Sequence, residues 1–316
     1  MSVALVFPGQ GSQSVGMLAA FAARHESVRA AYERASAVLG FDLWRIITEG
    51  PAERLNSTEV TQPAMLVADV ATFEIWRQQG GAAPAVVAGH SLGEFAALTC
   101  AGSFEFEDAV RLVHFRGQIM QAAVPEGSGS MAVLLGLEDA QAEEVCVEAA
   151  QGEVVEAVNF NAPGQIVIAG HAAAVLRALS IARERGCKRC QLLPISVPAH
   201  SSLMRAASQR LEERLAQLDV RSPACRYISA VDAQEHQTPQ AIRSILVRQL
   251  ASPVRWPQTV RAVMQHATAL IESGPGRVLT GLIRRIDRGA QCHALEDPDS
   301  LAAAVASTEG AAHARA

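Results

Sequence analysis

Two short apolar stretches of this chain each end in a glycine-rich turn, and this repeated pattern restricts the folds that the chain can adopt. Residues 3–7 (VALVF) are closed by residues 8–11 (PGQG). Residues 85–88 (AVVA) are followed by residues 89–93 (GHSLG) and then by a helical segment that Gly102 ends. Short buried strands that alternate with helices are typical of a parallel sheet covered by helices. The pattern therefore predicts an α/β fold.

A flexible stretch, residues 125–129 (PEGSG), separates this pattern from a different one. The following segment predicts the order strand, helix, strand, strand, helix, strand, its last strand spanning residues 189–197, and this is the order of a ferredoxin-like split βαβ unit. Alternation of helix and strand resumes after Pro198. We therefore expect a larger α/β-hydrolase-like domain with a parallel sheet, residues 1–124 and 198–316, and an inserted ferredoxin-like domain, residues 125–197. Residues 307–316 are small and polar, and we expect a frayed tail there.

Net charge and hydropathy exclude several classes of partner. The chain has 27 basic and 32 acidic side chains among 316 residues, a net charge of −5. Such a chain has no general attraction for nucleic acid or anionic lipid, so we expect neither as a partner. No stretch approaches about 18 uninterrupted apolar residues, and no basic region precedes residues 3–7, so we expect no membrane helix and no signal peptide. Six sparse cysteines fit reduced thiols and a cytoplasmic protein.

Lys188 is the single lysine of the chain. Schiff-base and pyridoxal-phosphate enzymes need a catalytic lysine and a phosphate-binding loop needs Gly-Lys-Ser/Thr, but the neighbours of Lys188 fit neither setting. Cys187 and Cys190 have the spacing of a redox or zinc half-site, but the sequence has no second pair. We therefore expect no metal site and no cofactor.

Ser91 lies at the centre of a G-x-S-x-G motif, residues 89–93, between a predicted strand and a predicted helix. In a nucleophile elbow, such glycines allow a strained turn that presents the hydroxyl at the amino end of the helix. The helix dipole and the backbone amide of Leu92 would help to hold an oxyanion, and the loop after the first strand would supply the amide of Gln10. An ordinary strand-to-helix turn is the alternative.

His200 is the candidate base among nine histidines. It follows an alternating apolar run and the turn at residues 198–199, at the carboxyl end of a predicted strand, where the sites of α/β enzymes gather. We expect His200 to accept the proton of Ser91, and a capping or core role is the alternative.

Arg116 lies on the apolar face of a predicted helix, residues 106–121. An arginine directed into the core is costly unless it meets an anion, and its planar fork matches a carboxylate. The helix therefore predicts a pocket for a substrate carboxylate. A structural ion pair with an interior acid is the alternative.

These motifs together resemble the malonyl-CoA:acyl carrier protein transacylases of bacterial type II fatty acid synthesis. The resemblance runs from Val3 to about Ala304. It rests on FPGQGSQ at residues 7–13, GHSLGE at residues 89–94 and NFNAPGQ at residues 159–165. Shorter matches are RG at residues 116–117, VPAH at 197–200, Gln249, PV at 253–254 and GPG at 274–276.

The resemblance implies a role for each candidate residue. Ser91 would be the nucleophile and His200 its base, with Arg116 holding the malonyl carboxylate. The oxyanion hole would be formed by the backbone amides of Gln10 and Leu92, and the backbone carbonyl of Gln249 would orient His200 in place of an acid. The implied partners are malonyl-CoA, whose thioester is a substrate and not a cofactor, and an acidic acyl carrier protein.

The chain departs from the family pattern beside the site. Phe95 stands where tyrosine is frequent, and Ala199 and Ser201 flank His200 where serine and cysteine are familiar. These changes leave the mechanism intact and leave the choice of extender unit open.

Docking of an acidic carrier protein on this negative enzyme would need a local basic patch. We expect that patch to include Lys188, Arg189, Arg284 and Arg285, with Arg288 beside them. An ordinary solvated charged face is the alternative.

Other functions stay open on the sequence. A serine hydrolase shares the elbow and the base, and a noncatalytic carrier-binding scaffold shares the fold. The closest alternatives are a free-standing polyketide acyltransferase and the acyltransferase subunit of malonate decarboxylase. A monomer is the expected oligomeric state.

Overall fold

Ten strands form two five-stranded sheets in the structure, a computed structural model that describes residues 2–195 and 197–313. The strands are β1 (Val3–Phe7), β2 (Pro84–Gly89), β3 (Gly129–Leu135), β4 (Val155–Ala162), β5 (Gln165–His171), β6 (Arg189–Leu192), β7 (Arg226–Ile228), β8 (Val254–Arg255), β9 (Ala269–Glu272) and β10 (Cys292–Ala294).

Helices cover both sheets. They are α1 (Ala19–Ala22), α2 (Glu26–Leu39), α3 (Leu43–Glu49), α4 (Ala52–Asn56), α5 (Thr58–Gln78), α6 (Gly93–Cys100), α7 (Phe106–Gln121), α8 (Asp139–Ala150), α9 (Ala172–Glu184), α10 (Arg205–Leu215), α11 (Pro239–Gln249), α12 (Trp256–Met264), α13 (Val278–Ile286) and α14 (Pro298–His313). None of these described helices is both long and apolar enough to cross a membrane.

The first sheet is parallel throughout, with the strand order β10-β9-β1-β2-β7. Its central strand β1 is buried along its whole length. Val3, Leu5 and Phe7 pack into the core on one face, and Ala4 and Val6 pack into the core on the other. A strand buried on both faces needs apolar side chains at every position, which explains the continuous apolar run. The prediction of an α/β fold is confirmed.

The second sheet has the order β6-β3-β5-β4-β8. Its first four strands are antiparallel, and the two-residue strand β8 pairs parallel with β4. On β5, Ile166 and Ile168 pack into the core beside α8 and α9, whereas Val167 and Ala169 pack on the opposite face, as alternation along a strand requires. Because β8 comes from the segment after Pro198, that segment completes the edge of the second sheet.

Two predicted boundaries are wrong. Strand β6 ends at Leu192 and not at residue 197, because Pro194 has no N–H for a ladder hydrogen bond; residue 196 lies outside the described residues. Helix α14 continues to residue 313, where a frayed tail from residue 307 was expected. Buried Leu301, Ala304 and Val305 give this helix an inner apolar face. Residues 314–316 lie outside the described part.

Candidate active site

The G-x-S-x-G turn joins β2 to α6 and places Ser91 at the amino end of that helix. Ser91 has a φ of 53°, in the left-handed region that residues with side chains seldom adopt. A Cβ at Gly89 would lie 1.9 Å from the carbonyl carbon of Gly93, and a Cβ at Gly93 would lie 2.0 Å from the carbonyl oxygen of Phe7. Only glycine fits at either position. The steric requirement for glycine at both positions is therefore the one expected of a nucleophile elbow.

His200 lies beside Ser91, in the loop that follows Pro198. Its Nε2 is 2.7 Å from the Oγ of Ser91, and its Nδ1 is 2.8 Å from the backbone oxygen of Gln249. A carbonyl oxygen can only accept, so we assign the ring proton to Nδ1, and Nε2 is then free to accept from the Ser91 hydroxyl. No carboxylate among the described residues hydrogen-bonds to the imidazole of His200.

Two features of the loop fix the orientation and charge of His200. The Ser201 hydroxyl donates to the Pro198 carbonyl over 2.7 Å, and this bond supports a loop in which His200 has a φ of 66°. Burial lowers the pKa of His200 to about 3, and the positive charge of Arg116 also lowers it, whereas the hydrogen bond to Gln249 raises it. The imidazole is therefore neutral at pH 7 and able to accept a proton.

Arg116 points from α7 toward the same serine and is 1% exposed. Its Nη1 donates to the Oε1 of Gln62 and its Nη2 to the Oε1 of Gln249, each over 2.9 Å, while Nη2 lies 3.4 Å from the Oγ of Ser91. The guanidinium stacks 5.3 Å from the centre of the Phe95 ring. Burial lowers the pKa of Arg116 to about 10, so the group is positive at pH 7. The interior ion pair considered from the sequence is absent among the described contacts of this arginine.

Gln249 connects these groups with its side chain as well as its backbone. Its Nε2 donates to the backbone oxygen of Ser91 and to the Oε1 of Glu94, each over 2.9 Å, while its Oε1 accepts from Arg116. Sequence reasoning named only the Gln249 carbonyl and missed Gln62 and Glu94. A polar residue within an otherwise apolar helical stretch, as at Gln62 in α5, is the signal that could have found one of them.

Ser91, Arg116 and His200 line a small pocket of about 60 Å³, which Gln10 and Leu92 also border. Besides these five residues, its lining is His90, Met120, Met131, Asn159, Ile195, Val197 and Ala199. The structure therefore brings the predicted nucleophile, base and arginine to one pocket, together with the two residues predicted to supply the oxyanion amides.

The small pocket adjoins a cleft of about 840 Å³, which is lined by residues of both sheets. Both spaces share Gln10, His90, Met131, Asn159 and Ile195. The Oδ1 of Asn159 is buried and has no hydrogen-bond partner among the described residues, so an acceptor is available at this junction. The cleft therefore reaches residues that also border the pocket of Ser91.

His90 joins the two sheets below the cleft. Its Nε2 is 2.8 Å from the Oδ1 of Asn161 on β4, and its ring meets that of Trp256 edge-on at 5.5 Å. Burial lowers the pKa of His90, although the hydrogen bond to Asn161 opposes this shift. A neutral His90 can therefore donate from Nε2 to Asn161.

The structure separates the predicted basic residues. Arg189 and Arg285 line the cleft, and Arg285 Nη1 donates to the side chain of Gln165 across it. Arg284 lies beside Cys292 instead, and neither it nor Lys188 belongs to the described cleft lining. Adjacent residues on a helix point about 100° apart, so Arg284 and Arg285 face different directions. The expectation of one docking patch from all four residues stays a prediction.

Across residues 2–195 and 197–313, no group of three or more His, Cys, Asp or Glu side chains is arranged to hold a metal ion.

Comparison with known proteins gives one family. Residues 4–290 match the acyl transferase domain. The chain is 51% identical over 303 residues to the malonyl CoA-acyl carrier protein transacylase of Escherichia coli (strain K12), covering 96% of this chain and 98% of that protein.

Solved structures agree with this similarity. The malonyl CoA-acyl carrier protein transacylase of Coxiella burnetii superposes with a TM-score of 0.95 at 45% identity, covering 97% of both chains. A malonyl-transacylase in complex with its type II polyketide synthase acyl-carrier protein gives a TM-score of 0.95 at 47% identity, covering 97% of this chain and 100% of that one.

Proposed function

This chain belongs to the malonyl CoA-acyl carrier protein transacylase family, and from that premise we propose that it transfers a malonyl group from malonyl-CoA to the phosphopantetheine thiol of an acyl carrier protein for fatty acid synthesis. The observation that carries the proposal is a buried guanidinium, Arg116, whose Nη2 lies 3.4 Å from the Oγ of Ser91. A serine that is paired with a histidine performs acyl transfer, and the arginine beside it selects an acyl group that ends in a carboxylate.

In the first half-reaction, the Oγ of Ser91 attacks the thioester carbonyl while Nε2 of His200 takes the hydroxyl proton. The carbonyl oxygen becomes an oxyanion, which the backbone amides of Gln10 and Leu92 stabilise together with the amino end of α6. When the C–S bond breaks, the sulfur of coenzyme A takes the proton from His200. A malonyl ester on Ser91 remains.

The second half-reaction reverses the order. The carrier-protein thiol gives its proton to His200 and attacks the malonyl ester, and Ser91 regains its proton as it leaves. The Gln249 carbonyl accepts from Nδ1 in both halves, so it stabilises the imidazolium that forms each time. The described pocket offers no acid for this task.

Arg116 supplies the selectivity. Acetyl-CoA has no terminal carboxylate and would leave the buried guanidinium with its amide partners only, which costs of the order of 2–5 kcal/mol relative to a paired carboxylate. Malonyl loading is therefore favoured over acetyl loading.

The cleft is the path of the phosphopantetheine arm. We place the docking surface of the acidic carrier protein at the cleft mouth, where Arg189 and Arg285 project and where the half-exposed apolar side chains of Leu192 and Val278 also lie. Acidic groups of the carrier would meet the two arginines, and its apolar contacts would meet the two aliphatic side chains.

We also infer a division of the fold. Within the second sheet, the four strands from residues 125–197 run in the spatial order fourth, first, third, second, with α8 and α9 on one face, and this supports a ferredoxin-like unit. The α/β-hydrolase-like part would comprise residues 1–124 and 198–316, with the nucleophile directly after β2, the parallel strand beside the central strand β1. We further propose that the enzyme needs no metal or other cofactor and acts as a cytoplasmic monomer.

The test is transfer to a carrier protein. We expect holo-carrier protein mixed with malonyl-CoA and enzyme to gain the mass of one malonyl group, and the apo-carrier, which lacks the thiol, to gain none. Parallel assays with fatty acid and polyketide carrier proteins distinguish the two pathways by their rates. Steady release of free malonate at the same rate without any carrier would contradict the proposal and favour a serine hydrolase.

A further inference from the structure

Glu94 is a fully buried acid that the reaction described above does not use. It lies in the first turn of α6, three residues after Ser91, and is 0% exposed. Tyr227, on β7, donates its hydroxyl to the Oε2 of Glu94, and Gln249 Nε2 donates to the Oε1 over 2.9 Å. Ser229 and the backbone of Ala230 lie beside this carboxyl and help to lower its pKa.

These neighbours favour the ionised carboxylate. Burial is the largest effect and raises the pKa of Glu94 above its ordinary value, whereas the hydrogen-bonding groups around the carboxyl oppose that shift. A carboxylate can only accept, and the tyrosine hydroxyl and glutamine amide donate to its two different oxygens. Buried charge needs an opposite charge nearby, and the charge of Glu94 raises the pKa of Arg116 against the effect of burial, so the two groups interact electrostatically within the site.

The side chain of Gln249 separates the two charges. Its oxygen accepts from Nη2 of Arg116, and its nitrogen donates to Oε1 of Glu94, each over 2.9 Å. The amide of Gln249 therefore lies between the two charged groups, with its oxygen facing the guanidinium and its nitrogen facing the carboxylate. A carboxylate in direct contact with Arg116 would occupy the fork that a substrate needs, whereas one placed behind an amide leaves the fork available.

We propose that Glu94 is a specificity-determining positioning residue, which balances the charge of Arg116 through Gln249 and so limits how strongly the pocket prefers acyl groups with a terminal carboxylate. The inference rests on the proposed function. With Glu94 ionised, the empty pocket is near neutrality, and an uncharged acyl group can be loaded at a basal rate. Without the charge of Glu94, the pocket is positive because of Arg116. This positive charge favours binding of an acyl group with a carboxylate. It also opposes the imidazolium that forms on His200 when an uncharged acyl group reacts.

The test compares malonyl and acetyl loading of Ser91 in Glu94→Gln, which keeps the size of the side chain and removes its charge. We expect the ratio of malonyl to acetyl kcat/KM to rise by roughly tenfold, the size of the effect of one charge nearby in a partly buried site. A purely structural role would lower both rates by the same factor. An unchanged ratio in a folded Glu94→Gln enzyme would overturn the proposal.

Two further variants complete the design. Glu272→Gln removes another carboxylate that is 0% exposed, outside the site, and should leave the ratio within about twofold of wild type. Glu94→Asp keeps the charge but shortens the side chain, so its ratio should also stay close to wild type; a tenfold rise there would show that charge is not the determinant, even if Glu94→Gln failed to fold. Absence of malonyl loading in wild type would contradict the proposed function itself, whereas wild-type loading with an unchanged variant ratio would contradict only the role of Glu94.

Discussion

Two buried polar regions of this protein differ in how their charges are compensated. In the first, the Ser91 cluster (Ser91, Glu94, Arg116, His200 and Gln249), each charged group has hydrogen-bond partners and an opposite charge nearby. In the second, the Asp69–Glu272 pair, two acids that are each 0% exposed lie close enough for the charge of Glu272 to raise the pKa of Asp69.

In the Asp69–Glu272 pair, only the carboxyl group of Glu272 has hydrogen-bond donors among the described residues. Glu272 accepts from the backbone N–H groups of Leu279 and Thr280, at 2.9 and 2.7 Å, where α13 begins. Neither carboxyl oxygen of Asp69 has a hydrogen-bond partner among the described residues. Burial, followed by the charge of Glu272, holds the pKa of Asp69 well above its ordinary value. Burial raises the pKa of both Asp69 and Glu94, but of these two acids only Glu94 has hydrogen-bond donors that oppose the shift and a cation nearby.

The largest expected effect comes from removing the base of the Ser91 cluster. His200→Ala should lower the rate of malonyl loading by roughly 10²–10⁴-fold, because no other described group lies in place to take the serine proton. Rapid-quench loading assays at pH 7 measure this rate. A loss of less than about tenfold would show that His200 is not the base.

Removing the cation should change selectivity more than rate. Arg116→Ala is expected to weaken malonyl loading by about 2–5 kcal/mol while sparing or raising acetyl loading, since acetyl no longer faces an unpaired guanidinium. Steady-state kcat/KM for the two thioesters gives the comparison. An equal fall for both thioesters would rule out the carboxylate-binding role.

The Asp69–Glu272 pair should respond in stability and not in chemistry. Since the pKa of Asp69 is higher in the folded than in the unfolded protein, its contribution to stability is complete below the ordinary aspartate pKa and is lost as pH rises toward the folded value. Asp69→Asn should therefore raise the free energy of unfolding by about 1–3 kcal/mol at pH 8 and by less at pH 5. Urea unfolding at both pH values tests this, and a gain that does not grow with pH would contradict the assignment.

The smallest expected effect lies at the cleft mouth. Arg285→Glu should raise the KM for the carrier protein about three- to tenfold and leave the KM for malonyl-CoA nearly unchanged, because exposed charges contribute little individually. Arg284→Glu is the matched control, with the same charge change on the neighbouring residue outside the described cleft lining. Equal effects of the two variants would argue for a general charge effect and against the docking surface.

Local patterns in the sequence predicted those parts of the molecule that depend on neighbouring residues. The strand before Ser91 and the inward direction of Arg116 follow from periodicity within one element. Strand β8 has two residues and therefore no period to detect. The end of α14, from residue 307, consists largely of small and polar residues, so the continuation of the helix there could not be read from composition.

Contacts over long sequence distances could not be predicted in the same way. Glu94 and Tyr227 are 133 residues apart, and nothing in either segment indicates the hydrogen bond between them. The sequence likewise predicted one patch that contains both Arg284 and Arg285, whereas helix geometry directs only Arg285 to the cleft. Family resemblance supplied the Gln249 carbonyl, and the structure added the side-chain contacts that connect it to Arg116 and Glu94.

The covalent intermediate on Ser91 tests the account most directly. Intact-protein mass spectrometry after brief mixing with malonyl-CoA should show one malonyl-sized adduct on the wild type and none on Ser91→Ala, with little adduct from acetyl-CoA. An adduct of equal yield on Ser91→Ala, or the absence of both adduct and free malonate from the wild type, would contradict acyl transfer through this serine.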